Sequence, residues 1–190
     1  MGNKIIEIEK GDVISVFSYG YDRVYLADKI IDDLNSNKVL MFNSGSNARM
    51  YFPCKRIEMS YGWGLKEMVT EYKKDFSIGI INCLTTEFNT KETNDFIKFL
   101  KEDKDMKNKA FVLIFKASFD SFEKGNRLDY KYFNVYKNSI FNNCNKHYSF
   151  YRKSDDCSCR EWIFEDLLTK TKKYYKQKDW KTCDLILVKE

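Results

Sequence analysis

The sequence predicts an α/β protein with a mostly parallel central sheet and helices on both faces, and three observations carry that expectation. Val13-Ile14-Ser15-Val16-Phe17, Val39-Leu40-Met41-Phe42 and Ala110-Phe111-Val112-Leu113-Ile114-Phe115 are apolar runs of strand length. Strands apolar on both sides belong to sheets covered on both sides. Between them lie segments whose apolar residues recur every three or four positions, as on an amphipathic helix. Regular alternation of the two kinds of segment is the pattern of a parallel sheet with helical crossovers.

The elements follow in order. Ile5-Ile6-Glu7-Ile8-Glu9 alternates, Lys10-Gly11-Asp12 turns, and Val13 to Phe17 begins a central strand. After the loop Ser18-Tyr19-Gly20-Tyr21-Asp22, residues Val24, Leu26, Ala27, Ile30, Ile31 and Leu34 mark a helix that stops near Asn35-Ser36-Asn37. Val39 to Phe42 is the next strand. A polar stretch from Asn43 to Asn47 then leads through Pro53, the only proline, to Arg56-Ile57-Glu58-Met59. Leu65, Met68, Val69 and Tyr72 mark a second helix. Ser77 to Leu84 is a buried strand that delivers Asn82 to its carboxyl end, and Lys91 to Glu102 is a helix with Phe96, Ile97, Phe99 and Leu100 inward. Beyond Phe115 the pattern loosens from Lys116 to Asn145. His147 to Tyr151 then reads as a strand, Trp162 to Tyr175 as a helix and Leu185 to Val188 as a last strand.

With 190 residues, 43% hydrophobic and 16% aromatic, the chain is long enough for one sizeable core and is expected to form a single domain over 1–190. Thirty-three Lys and Arg against 28 Asp and Glu leave a formal charge of +5. Because the charges interleave, this favours an acidic partner only mildly. No apolar leader core follows Met1, and the uncharged apolar runs are strand-sized, so a cytoplasmic protein without a membrane span is expected. In a reducing compartment six cysteines are not a disulfide framework. Cys54, Cys83 and Cys183 read most simply as small buried residues.

Three stretches carry a resemblance. Lys10-Gly11-Asp12-Val13-Ile14-Ser15-Val16, then Asp22-Arg23-Val24-Tyr25-Leu26-Ala27, then Ile80-Ile81-Asn82-Cys83-Leu84-Thr85 stand in an order that resembles the RecA, KaiC and DnaB-helicase group of P-loop ATPases. The likeness runs over roughly Ile8 to Ser118 and more loosely to the C-terminus. It implies a three-layer RecA-like domain with a nucleotide site at Gly20, Arg23 and Asn82. That site is degenerate. A phosphate loop uses several glycines, a lysine for the outer phosphates and a hydroxyl on magnesium. Here Gly20 alone remains, Arg23 holds the lysine slot, Val24 offers no metal ligand, and Asn82 stands where the family has the aspartate that orients magnesium. Val39 to Phe42 also runs into Asn43 and Ser44, not a catalytic glutamate. The resemblance thus implies a silent ATPase that acts by binding nucleic acid or a partner ATPase. A divergent nucleotide hydrolase, or a generic α/β domain without this ancestry, is the alternative.

Two further constellations could carry chemistry. Cys144 and His147, the only histidine, precede Cys157 and Cys159, and four such ligands would suit a structural zinc. The alternative is that Cys144 and His147 flank a strand, Cys157 and Cys159 begin a helix, and none binds metal, leaving the protein without a cofactor. The stretch from Lys116 to Phe133 alternates basic and aromatic residues. Lys124, Arg127, Tyr130 and Lys131 there could neutralise phosphates and stack on bases of a single strand. In the resembled family such loops contact DNA. Equally, the aromatics could pack beneath a long loop, since Asp120, Glu123 and Asp129 offset the positive charge. Lys170 to Lys178 reads as the solvated end of a helix. No Gly-x-Ser-x-Gly elbow appears, and the expectation is a binding or zinc-stabilised interaction module, possible in an oligomer, more readily than an enzyme.

Overall fold

Strands apolar on both sides place core residues on both faces of one sheet. The computed structural model describes residues 7–18, 38–44, 55–59, 64–84, 91–116, 145–154, 159–179 and 185–189. Nine strands form the sheet: β1 (Asp12–Ser18), β2 (Val39–Ser44), β3 (Lys55–Met59), β4 (Ile78–Leu84), β5 (Ala110–Lys116), β6 (Lys146–Arg152), β7 (Glu161–Asp166), β8 (Lys172–Gln177) and β9 (Leu185–Val188). Their spatial order is β3-β2-β4-β5-β1-β6-β7-β8-β9. Every pairing from β3 to β6 is parallel, whereas β6 to β9 form an antiparallel meander. Two α-helices, α1 (Leu65–Glu71) and α2 (Lys91–Glu102), and a 3-10 turn at Met106–Asn108 complete the described elements. This is a mixed α/β fold with a large, mostly parallel sheet and few helices. Among the described residues no helix is long and apolar enough to cross a membrane.

Side-chain alternation divides the core in two. On the first face Val13, Phe42, Ile81, Phe111 and Leu113 pack against Met68 and Val69 of α1, Phe96 and Leu100 of α2, and Met106. Helical spacing explains this, since Phe96 and Leu100 are one turn apart and share one side of α2. On the second face Ile14, Val16, Met41, Ile80 and Val112 join Phe150, Trp162, Phe164 and Tyr175. Both described helices therefore lie against the first face. The helix expected from Val24 to Leu34 lies outside the described residues.

Two glycines are required by geometry. Gly11 turns the chain into β1 at φ 80°, and a Cβ there would stand 2.7 Å from Asn145 Nδ2, which itself donates to the Lys10 carbonyl at 2.6 Å. Gly79 lies in β4, where a Cβ would come within 2.9 Å of the Phe111 ring and 3.0 Å of Phe76. Those two rings meet edge to face at 6.2 Å and are both buried. Gly79→Val should therefore destabilise the fold by about 1–3 kcal/mol through overpacking, read as a lower denaturant midpoint. An unchanged midpoint would mean that the rings yield freely.

One predicted element is corrected outright. Trp162 to Tyr175 is not a helix but the hairpin of β7 and β8, paired from Glu161↔Lys176 to Glu165↔Lys172. The turn is specified locally: Asp166 Oδ1 accepts from the backbone N–H of Leu168 at 2.9 Å and of Thr169 at 3.3 Å. Lys170 adopts φ 58°, a left-handed conformation that interrupts a helix. Trp162 and Phe164 thus fall on one face by strand alternation. The basic run from Lys170 is solvated, as expected, but on a strand.

Candidate functional site

In open α/β sheets ligands bind beyond the carboxyl ends of parallel strands, so the polar groups at that edge come first. Asn82 lies near the end of β4, 2% exposed, opposite Asn43 of β2. The β4–β5 register shifts between Ile81 and Leu84, so Asn82 sits within the irregularity. An amide there brings no charge for a metal ion. At the end of β6 the Arg152 guanidinium is buried over the Trp162 ring, 5.4 Å from its centroid. By alternation both Asn82 and Arg152 face the second cluster. Between them end β5 and β1, with Ser18 and Lys116 paired in register.

That pairing bears on the expected site residues. Gly20 and Arg23 follow β1 in sequence, and Lys124, Arg127, Tyr130 and Lys131 follow β5. These six positions lie outside the described residues. The strands that precede them are neighbours about 4.8 Å apart, so both segments leave the sheet from adjoining points on one edge.

The zinc set is corrected by the β6–β7 hairpin. His147 is at the start of β6, where its carbonyl accepts from Leu167 N at 2.8 Å. Cys159 is at the other end, with its Sγ 3.9 Å from the Glu161 carbonyl, beside the point where Lys153 N donates to Glu161 O at 2.8 Å. Six strand residues separate the two levels, about 20 Å. Ligands of one zinc stand about 2.0–2.3 Å from the ion, so His147 and Cys159 cannot share it. The chain does return after Tyr148 to Lys153, as β7, but Cys159 stands where that return begins and His147 at the opposite end of the hairpin. Cys144 and Cys157 lie outside the described residues, and among the described residues no group of three metal-ligating side chains occurs.

His147 instead takes part in a buried polar row on the first face that the sequence reading missed. Its Nε2 shares a 2.9 Å hydrogen bond with Ser15 Oγ of the neighbouring β1. Burial drives the imidazole pKa down to about 3, only partly opposed by the negative charge of Asp166. Ser149 lies directly opposite Ser15 and is fully buried, its Oγ without a hydrogen-bond partner among the described residues. Next in register is buried Glu165, whose Oε2 accepts from Tyr151 Oη at 3.4 Å. A serine hydroxyl on a histidine is the start of a nucleophile–base pair, yet both side chains are enclosed in the sheet. Their role is to satisfy each other. The available signal was a polar residue at the same phase of two apolar strands, Ser15 in one and His147 and Ser149 in the other.

Fold and edge together define an α/β protein with a polar carboxyl edge. No family model matches the chain, and no curated protein does. Among solved structures it is similar to the C-terminal domain of the coenzyme A biosynthesis bifunctional protein CoaBC, at 12% identity and TM-score 0.43, over 96% of this chain and 89% of that one. The expected membership of the RecA, KaiC and DnaB-helicase group is corrected to the coarser mixed α/β fold that the sheet shows, since no family model, P-loop or other, matches the chain. The labels P-loop-like and pseudo-ATPase fall with it. Strand and helix in alternation serve many unrelated functions. Of the residues that carried the resemblance, Gly20, Arg23 and Val24 lie outside the described residues, and Asn82 occupies a buried strand position.

Proposed function

We propose that this chain is a binding protein that takes single-stranded nucleic acid along the carboxyl edge of its parallel strands. One observation carries the reading: β1 and β5 are adjacent and end in register at Ser18 and Lys116, so the segment after β5, which holds Lys124, Arg127, Tyr130 and Lys131, starts beside the one after β1, which holds Tyr19, Tyr21, Arg23 and Tyr25. Such residues together neutralise phosphates and stack on bases without reading sequence. Full burial of Ile14, Ile80 and Val112 supports cover on the second face as well as the first, which would leave this edge as the open side of the sheet.

Affinity for a labelled single strand should fall steeply with salt. Arg127→Ala combined with Lys131→Ala should weaken it and lower the log–log salt slope by about 1.4, because two phosphates are no longer neutralised. Tyr130→Ala should cost about 1–3 kcal/mol if a base stacks on the ring. Absence of binding at low salt would remove nucleic acid from the account.

A further inference from the structure

The two margins of the sheet differ in chemistry. β3, at one margin, reads Lys55-Arg56-Ile57-Glu58-Met59, and charged residues are how natural edge strands avoid pairing with other chains. β9, at the other, reads Leu185-Ile186-Leu187-Val188. The consecutive residues Ile186, Leu187 and Val188 are 55%, 48% and 42% exposed. Of the large apolar side chains exposed among the described residues, only Leu168 lies elsewhere. Consecutive strand residues point to opposite faces, so β9 is apolar above and below.

From this margin we infer a docking site at which an extended, acidic segment of another protein adds to β9 as a tenth strand. Strand addition satisfies the backbone groups along the margin while pockets beside alternate residues select side chains. A lipid surface would cover the apolar side chains but leave those backbone groups without partners. Charge selects the occupant. β8, paired to the inner side of β9, exposes Lys172, Lys173 and Lys176, and an added strand would run two strand spacings from them, about 9.6 Å. That is close to one Debye length at physiological salt, so the lysines still act on it. Acidic side chains flanking an apolar centre fit this margin. A second copy of the chain would bring another set of lysines toward the first.

The test uses the full chain and two synthetic peptides, Glu-Glu-Val-Ile-Val-Ile-Glu-Glu and its counterpart with Lys for Glu, titrated by calorimetry at low salt. The acidic peptide should bind at least about tenfold more tightly than the basic one. Exchange of the β9 amide protons should slow when it is bound. Lys172→Gln with Lys176→Gln, which removes both charges without setting a carboxylate opposite Glu165 and Glu161 of β7, should abolish the preference. The inference is overturned if neither peptide binds or if both bind equally. It is also overturned if the double variant keeps the wild-type preference, if sedimentation shows self-association that the acidic peptide does not compete away, or if anionic vesicles bind the protein while the peptide does not.

Discussion

Acidification from neutral pH to about pH 3 should remove roughly 5 kcal/mol of unfolding free energy through His147 alone. The native imidazole is held neutral by burial, with its pKa lowered from 6.5 to about 3, whereas in the unfolded chain it titrates at its ordinary value. The sign follows from proton counting. Below pH 6.5 the unfolded state takes up a proton that the native state refuses until pH 3. Stability due to this group is therefore fully present above pH 6.5 and is lost as pH falls through the window down to 3. Asp12 works in the opposite sense, because burial raises its pKa and acid then favours the folded form. Denaturant titrations at several pH values should separate the two. Wild type should lose up to about 1.4 kcal/mol per pH unit between pH 6 and 4 relative to His147→Gln, a neutral variant able to hydrogen-bond Ser15. Superimposable pH profiles would show that His147 is accessible to protons in the native state.

Trp162→Ala should cost about 3–5 kcal/mol, a large share of the roughly 5–15 kcal/mol typical of a domain. The indole is fully buried. It stands 5.8 Å from the Phe150 ring, carries Arg152 over its face and donates from Nε1 to Gln177 Oε1 at 3.3 Å. Truncation leaves a cavity where three strands meet and uncovers the guanidinium. Leu168→Ala is the matched control, because that side chain is 55% exposed and its loss should stay within about 0.5 kcal/mol. Equal midpoints for the two variants would mean that the second face is held together elsewhere.

How much of this was legible beforehand depends on the range of the signal. The strand from Ile78 to Leu84 and the helix from Lys91 to Glu102 could be read because burial acts on neighbouring residues with a fixed period. Asn82 was placed near a strand end for the same reason. Trp162 to Tyr175 misled because Ile163, Phe164, Leu167 and Leu168 also satisfy helical spacing. Tertiary pairing with β6 and the Asp166 turn decided the matter, overriding local preference as packing commonly does in sheets.

By itself the sequence determined a mixed α/β chain: apolar runs of strand length and amphipathic helices follow from local burial, and their alternation imposes parallel pairing. Only the tertiary structure decided which strands are neighbours. Ser15 meets His147 across 132 positions of sequence because β6 pairs with β1, and Cys159 is carried away from His147 because β7 runs antiparallel. Register sets both outcomes, since a shift of one residue moves every side chain to the other face. It is fixed by the fit of both faces at once, which no local stretch of sequence contains.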